Sequence, residues 1–259
     1  MSENHSELLF EQEGQIATIT FNRPQARNAM TWGMYEGLVA ACEQINASED
    51  IRVAVLRGAG DKAFVAGTDI KQFLEFQTAE DGLVYERRIE AVLDKLEQVR
   101  VPTIAVIDGY AVGGGLGIAA SCDLRICTPA AKFGLPVART LGNCLSMRTY
   151  ARLVDLVGSA RALHLIYTAS FIPADEALAV GLATEVVTAD LDARVRELCE
   201  ELRGRAPLTM WASKQAVRRL RDSRLPNGED LVAACYGSDD FHEGVRAFVE
   251  KRPPQWRGK

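Results

Sequence analysis

Histidine is scarce in this chain: its 259 residues hold three, one of them His5 in an expected N-terminal tail, and none in an HExxH pattern. Zinc-hydrolase chemistry therefore lacks its usual ligand pair. No GxSxG occurs, which argues against an α/β-hydrolase nucleophile elbow. The six cysteines (Cys42, Cys122, Cys127, Cys144, Cys199 and Cys235) make no CxxC pair, so reduced thiols are expected rather than a disulfide framework or a metal site. No apolar stretch reaches the roughly 18 residues that would cross a bilayer. MSENHSELLF has no basic-then-apolar leader, and the expectation is a cytoplasmic protein with no membrane partner. A net charge of −5 gives no sign of a nucleic-acid partner. One basic cluster, Lys214, Arg218, Arg219, Arg221 and Arg224, is expected to be a solvated helix face.

The composition, 47% apolar and 25% charged, is ordinary for a globular chain of one large domain or one domain with an appendage. Residues 8–11 and 15–22 read as strands joined at Glu13-Gly14, the second with Ile16, Thr18 and Thr20 on one face. Thr31 suits the N-cap of a helix whose stripe is Met34, Leu38, Cys42 and Ile45. Residues 51–57 read as a β-branched strand, 77–82 as a polar, mobile loop, and 82–99 as a long helix carrying Ile89, Val92, Leu93 and Leu96. Strands are expected at 124–127, 132–134 and 182–187, and helices at 142–157, 161–167 and 173–181. From Leu191 the pattern is helical only, broken by Pro207, Pro226 and Gly228, and it ends in a polar tail from Lys251. Strands alternating with helices, then helices alone, imply an α/β core with a helical C-terminal appendage.

The most informative stretch is PTIAVIDGYAVGGGLGIAASCD, from Pro102 to Asp123. Thr103 to Ile107 forms an apolar run that suits a buried strand. Gly113-Gly114-Gly115 then opens a small-residue helix, leaving N–H groups unpaired and unshielded. Such a terminus attracts negative charge, resident or developing. Tight packing of a glycine-rich helix on a strand explains the same letters. Gly115 to Ala120 fits GxGxxA, but the acid of a dinucleotide site is expected about 20 residues further on, and Asp123 comes too early. A second glycine turn lies in AFVAGTDIK, where Gly67 permits a sharp bend that would turn the Thr68 N–H inward; a plain strand-to-helix turn also fits.

AFVAGTDIK, IDGYAVGGG, ASCDLRI, FGLP, ADEALAVGLATEVV and AFVEKRPPQW stand in an order that resembles the enoyl-CoA hydratase/isomerase (crotonase) superfamily over residues 8–257. The resemblance implies an α/β fold, a crotonase-like spiral of ββα repeats over residues 1–190. A C-terminal helical trimerisation region over 191–259 would follow it, in a homotrimer or dimer of trimers. It also implies an acyl-CoA thioester as substrate, no further cofactor, no metal, and an enolate-stabilising oxyanion hole at the N–H groups of Thr68 and Gly114. By the same resemblance, CoA contacts fall on Ala26, Arg27, Ala66, Asp69, Ile70 and Lys71, with Phe248 and Lys251 from the C-terminal helices. Asp69 serves equally well as the cap of its turn.

The sequence departs from the family pattern where hydratases carry two glutamates as a general acid/base pair. The matching positions are Gly117 and Val137, and neither side chain can transfer a proton. Isomerases of the family commonly keep one acid, so ordinary double-bond migration lacks its group as well. A related dehalogenase carries an aspartate nucleophile near the segment Gly142-Asn143-Cys144. Here Cys144 could be a nucleophile or simply a small residue near a helix start. Arg139, Asn143 and Ser146 are further polar candidates, able to position a carboxylate or stabilise charge during decarboxylation or hydrolysis. Three readings stay open: an acyl-CoA enzyme of the lyase or isomerase class with non-standard proton-transfer groups, an acyl-CoA binder that lost catalysis, and a nucleotide-dependent oxidoreductase. Intact glycine turns favour the first.

Overall fold

After an opening hairpin, each turn of the chain contributes one strand to each of two sheets in the computed structural model, which describes residues 6–258; His5 lies outside them. The hairpin β1 (Leu8–Glu13) and β2 (Ile16–Phe21) starts the larger sheet, with Leu8 opposite Phe21 and Glu13 opposite Ile16. Ala17, Ile19 and Phe21 form the fully buried face of β2, and the alternate face is only half-buried. Thr31 caps α1 (Trp32–Ala47) by accepting the Met34 N–H at 3.2 Å, and the expected stripe of Met34, Leu38, Cys42 and Ile45 is buried.

Three ββα turns follow. β3 (Val53–Gly58), β4 (Ala63–Val65), a 3₁₀ segment (Ile70–Glu75) and α2 (Ala79–Glu97) make the first. β5 (Thr103–Ile107), β6 (Tyr110–Val112) and α3 (Gly114–Ser121) make the second. β7 (Leu124–Cys127), β8 (Lys132–Gly134) and the helices α4 (Val137–Thr140), α5 (Met147–Val157) and α6 (Ser159–Thr168) make the third. β9 (Phe171–Pro173), α7 (Ala174–Ala179) and β10 (Glu185–Val186) close the spiral. The larger sheet runs β1-β2-β3-β5-β7-β10 and the smaller β4-β6-β8-β9, parallel except at β1/β2 and β8/β9. The main core includes residues of both sheets together with α1, α2 and α3.

Only helices follow: α8 (Leu191–Arg203), α9 (Pro207–Asp222), α10 (Glu229–Tyr236) and α11 (Asp239–Glu250). Val195 and Cys199 of α8 pack on Val53, Val55, Ile104 and Val106, so this parallel sheet is covered on its second face too. No helix among the described residues is long and apolar enough to cross a membrane.

Several expectations need correction. Residues 79–82 of the stretch 77–82 are the first turn of α2, with Thr78 and Asp81 forming a capping box. Residues 142–146 precede α5 rather than begin it, and Ser146 is its N-cap. The strand expected at 182–187 shrinks to the two residues of β10. The basic cluster on α9 is not a solvated face, because three of its five cations turn inward onto carboxylates: Lys214 to Asp123 at 2.8 Å, Arg218 to Asp94 at 2.9 Å and Arg221 to Glu97 at 2.7 Å.

α10 packs along α2 at Gly82, where an added Cβ would stand 2.2 Å from Cβ and Cγ of Tyr236. The Gly82→Ala variant is expected to lose about 1–3 kcal/mol of stability by overpacking. Urea unfolding measures the loss, and early proteolytic cleavage between α9 and α10 would report the undocked helix.

Candidate active site

Two glycine turns meet beside a cavity. Gly67 follows β4 at φ +92° and Gly113 follows β6 at φ +55°, conformations that side chains resist. Because β4 and β6 pair in parallel, the turns leave the sheet side by side. A side chain at Gly114 would stand 3.8 Å from the Thr68 nitrogen. The bridge between Thr68 and Met30 uses the Gly67 carbonyl at 2.8 Å and the Asp69 N–H at 2.9 Å, leaving the Thr68 N–H out of the ladder. Gly114 opens α3, whose first-turn N–H groups have no acceptor within the helix. Gly115 serves packing: a Cβ there would meet the Val65 carbonyl oxygen at 2.0 Å. That accounts for the GxGxxA match without a nucleotide.

The Thr68 hydroxyl is held between the hydroxyls of Tyr35 and Tyr85, at 2.8 Å from each. Burial pushes both phenols well above their ordinary range, so they remain neutral.

The cavity has a volume of about 160 Å³, and Thr68, Gly114, Gly117 and Val137 all line it. At Gly117 a Cβ would make only ordinary contact, 3.5 Å from Leu93, so the glycine leaves space that a side chain could occupy. Ala66, Ile70 and Phe248 also line the cavity. Ala26 ends a 3₁₀ turn, and Arg27 joins this edge by accepting the Ala66 N–H at 3.1 Å. Asp69 acts as a cap, accepting the Lys71 N–H at 3.3 Å and facing Arg23 at 3.3 Å. Lys71 and Lys251 are exposed, and Lys251 ends α11 in the left-handed region at φ +55°.

Asn143 lines the cavity as well, and its Nδ2 donates to the Tyr236 hydroxyl at 3.2 Å. Cys144 does not line it. Its thiol donates to the Leu231 carbonyl at 3.5 Å, and the adjacent Cys235 sulfur together with burial pushes it up, keeping it a neutral thiol turned toward α10. Arg139 is exposed on α4, and Ser146 gives its hydroxyl to Glu90.

The cavity's one carboxyl among the described residues escaped the sequence analysis: Glu86 of α2, only 8% exposed. The available signal was an acid three and seven residues before Ile89 and Leu93, on the same apolar stripe. Burial pushes its carboxyl up to about 7, against the Tyr236 hydrogen bond and with a further push from Glu90.

Two larger hollows, about 420 and 590 Å³, flank α9. The first is lined by ion pairs already made, Lys214 with Asp123 and Arg221 with Glu97. Neither hollow includes the two glycine turns.

Residues 11–259 match the family model described as enoyl-CoA hydratase/isomerase. The chain belongs to this family. A short-chain-enoyl-CoA hydratase of Clostridium acetobutylicum is 36% identical over 250 residues, covering 95% of each chain. Among solved structures, an enoyl-CoA hydratase/carnithine racemase from Magnetospirillum magneticum superposes with a TM-score of 0.80 at 35% identity, covering 98% of this chain and 96% of that one. A methylmalonyl-CoA decarboxylase in complex with 2-nitronate-propionyl-CoA superposes with a TM-score of 0.89 at 27% identity, covering 98% and 99%. The nearly complete coverage on both sides makes this chain an enzyme of the hydratase/isomerase family with the family's α/β spiral. The nucleotide-dependent oxidoreductase reading is thereby set aside.

Proposed function

We propose that this family enzyme binds an acyl-CoA thioester and stabilises its enolate between the N–H groups of Thr68 and Gly114. The observation that carries the proposal is that Thr68 and Gly114 lie side by side at a cavity whose other walls are largely apolar. An enolate oxygen forming in such a place gains from dipoles already aimed at it. In this reading Ala66, Ile70 and Phe248 border the CoA portion, with Ala26, Arg27, Asp69, Lys71 and Lys251 around them. No second cofactor enters. Gly117 and Val137 stand in for the glutamates of the hydratases, so the two-carboxylate route for adding water is closed. The helices after residue 190 supply contacts in a homotrimer or dimer of trimers, for which the exposed Leu208, Val217 and Leu220 of α9 offer apolar surface.

Decarboxylation of a malonyl-type thioester is the second reading. The TM-score of 0.89 to a methylmalonyl-CoA decarboxylase favours it, and loss of carbon dioxide generates an enolate without a base. The test sets crotonyl-CoA and methylmalonyl-CoA side by side, with calorimetric binding of butyryl-CoA. Binding with carbon dioxide release and without hydration is the expected result of the decarboxylase reading. Crotonyl-CoA hydration with the ~10⁶-fold or greater acceleration typical of enzymes would sink the argument from Gly117 and Val137. Binding with no turnover would return the reading to an acyl-CoA binder.

A further inference from the structure

We propose that Glu86, on a wall of the cavity no family motif marks, is the group that exchanges a proton with C2 of the bound acyl thioester. The inference rests on the enolate reading above and supplies the proton carrier that Gly117 and Val137 lack.

The argument begins with geometry. Glu86 lines the same 160 Å³ cavity as Thr68 and Gly114. It is a carboxyl with two oriented donors and, among the described residues, no cation paired with it. The Tyr236 hydroxyl donates to Oε1 at 2.7 Å, and the Ser146 N–H donates to Oε2 at 3.1 Å. Asn143 donates to the Tyr236 oxygen in turn, at 3.2 Å, so the phenol is oriented toward the carboxylate. The other Asn143 atom, Oδ1, is buried without a partner in the protein, an open acceptor at the cavity.

Nearby acids have their own partners and are not equivalent. Glu90, one turn further along α2, is held by Arg152 at 3.1 Å and by the hydroxyls of Ser146 and Thr149. Arg148 reaches Glu90 rather than Glu86. The titratable groups around Glu86 are Tyr85 of α2, Tyr35 of α1, Tyr236 of α10, Cys144, and Tyr150 of α5, with Cys235 of α10 behind Cys144. Burial pushes Tyr85 and Tyr236 up, and Cys144 is pushed up beside Cys235. Glu86 is thus the group in this set with a neutral-range proton affinity, at about 7, that also lines the cavity. A general base works best when its affinity lies near the operating pH.

The step balances within the site. The Glu86 carboxylate takes one proton from C2, the C–H bonding pair becomes the enolate π bond, and the thioester oxygen takes the negative charge between the Thr68 and Gly114 N–H groups. Reversal returns the proton, or a deuteron when the carboxyl has exchanged with solvent. In a decarboxylation the same carboxyl, protonated, would deliver its proton to the enolate left by carbon dioxide.

The experiment follows deuterium entering C2 of butyryl-CoA in D2O by mass spectrometry, with binding measured by calorimetry. Wild type is expected to exchange well above buffer, with a rate that rises with pH through an inflection near neutrality. Glu86→Gln keeps the side-chain shape and should drop exchange at least ~100-fold while binding stays within a few-fold, in line with general-base contributions. Exchange at the wild-type rate in Glu86→Gln, or no exchange in wild type, overturns the proposal. If Glu86→Gln fails to fold, Tyr236→Phe carries the test. It removes a hydrogen bond that favours the carboxylate, so the inflection must move upward; an unmoved inflection overturns the proposal. Thr68→Pro separates the two ideas: exchange intact there but lost in Glu86→Gln would uphold Glu86 and sink the oxyanion assignment.

Discussion

Thr68→Pro is expected to lower turnover by about 10²–10³-fold, the usual effect of deleting one oxyanion donor. Proline removes the N–H while leaving the neighbouring backbone pairing in place. The bridge to Met30 runs through the Gly67 carbonyl and the Asp69 N–H, and both bonds survive. The preceding Gly67, at φ +92°, has no Cβ to crowd the new ring. The threonine hydroxyl is lost too, with its contacts to Tyr35 and Tyr85, so Thr68→Val is the control. Valine keeps the N–H and the branched shape, and its loss should be far smaller. Affinity for butyryl-CoA, measured by calorimetry, should change only modestly in both, because the donor matters most once charge develops. Equal losses in the two variants would assign the effect to the hydroxyl network, and a wild-type rate in Thr68→Pro would end the oxyanion reading.

Arg152→Met should cost about 3–5 kcal/mol, the penalty for breaking a buried ion pair from one side. That is a large share of the ~5–15 kcal/mol typical of a domain. The Arg152 side chain is fully buried between two acids of α2. It grips Glu97 with two bonds, at 2.9 and 3.1 Å, and meets Glu90 at 3.1 Å. Burial alone would raise the Glu97 carboxyl, yet Arg152 and then Arg221 hold it below its ordinary value. Without Arg152 the Glu97 carboxyl loses its main cation, and the stability its lowered proton affinity contributes above the unfolded carboxylate value of about 4.3 shrinks. The urea-measured deficit should therefore be largest near pH 8 and shrink toward pH 4. Adding Glu90→Gln and Glu97→Gln should recover most of the loss, and a deficit independent of pH would assign it to lost packing instead. The consequence reaches the cavity, because α2 carries Tyr85, Glu86 and Ile89 into it while the ion pairs tie α2 to α5 and α9.

Local physics made much of the architecture readable. Thr31 announced α1 because a cap and an apolar stripe are both short-range features. β5 could be read from its apolar run between Pro102 and Gly109, and β7 and β8 were also expected where they stand. β6, β9 and α4 escaped because three or four residues do not show a period. The capping box at Thr78 was legible but hidden inside a polar stretch taken for a loop. The cations of α9 misled for a different reason: the acids that receive them, Asp94, Glu97 and Asp123, lie some ninety to a hundred and thirty residues away in sequence. The Cys144 thiol likewise meets α10 through a contact no local pattern contains.

The amino-acid sequence by itself determined the family, the alternation of strands and helices, the two glycine turns, and a glycine and a valine at positions 117 and 137. All of these depend on residue type and order along short stretches. Only the tertiary structure decided that Thr68 and Gly114 stand side by side, because β4 and β6 must pair before their turns can meet. It alone also decided that Glu86 shares their cavity with Tyr236 above it, 150 residues further along the chain. Burial gives that carboxyl its neutral-range affinity, against the hydrogen bonds from Tyr236 and Ser146, and burial is a property of the folded whole rather than of any segment.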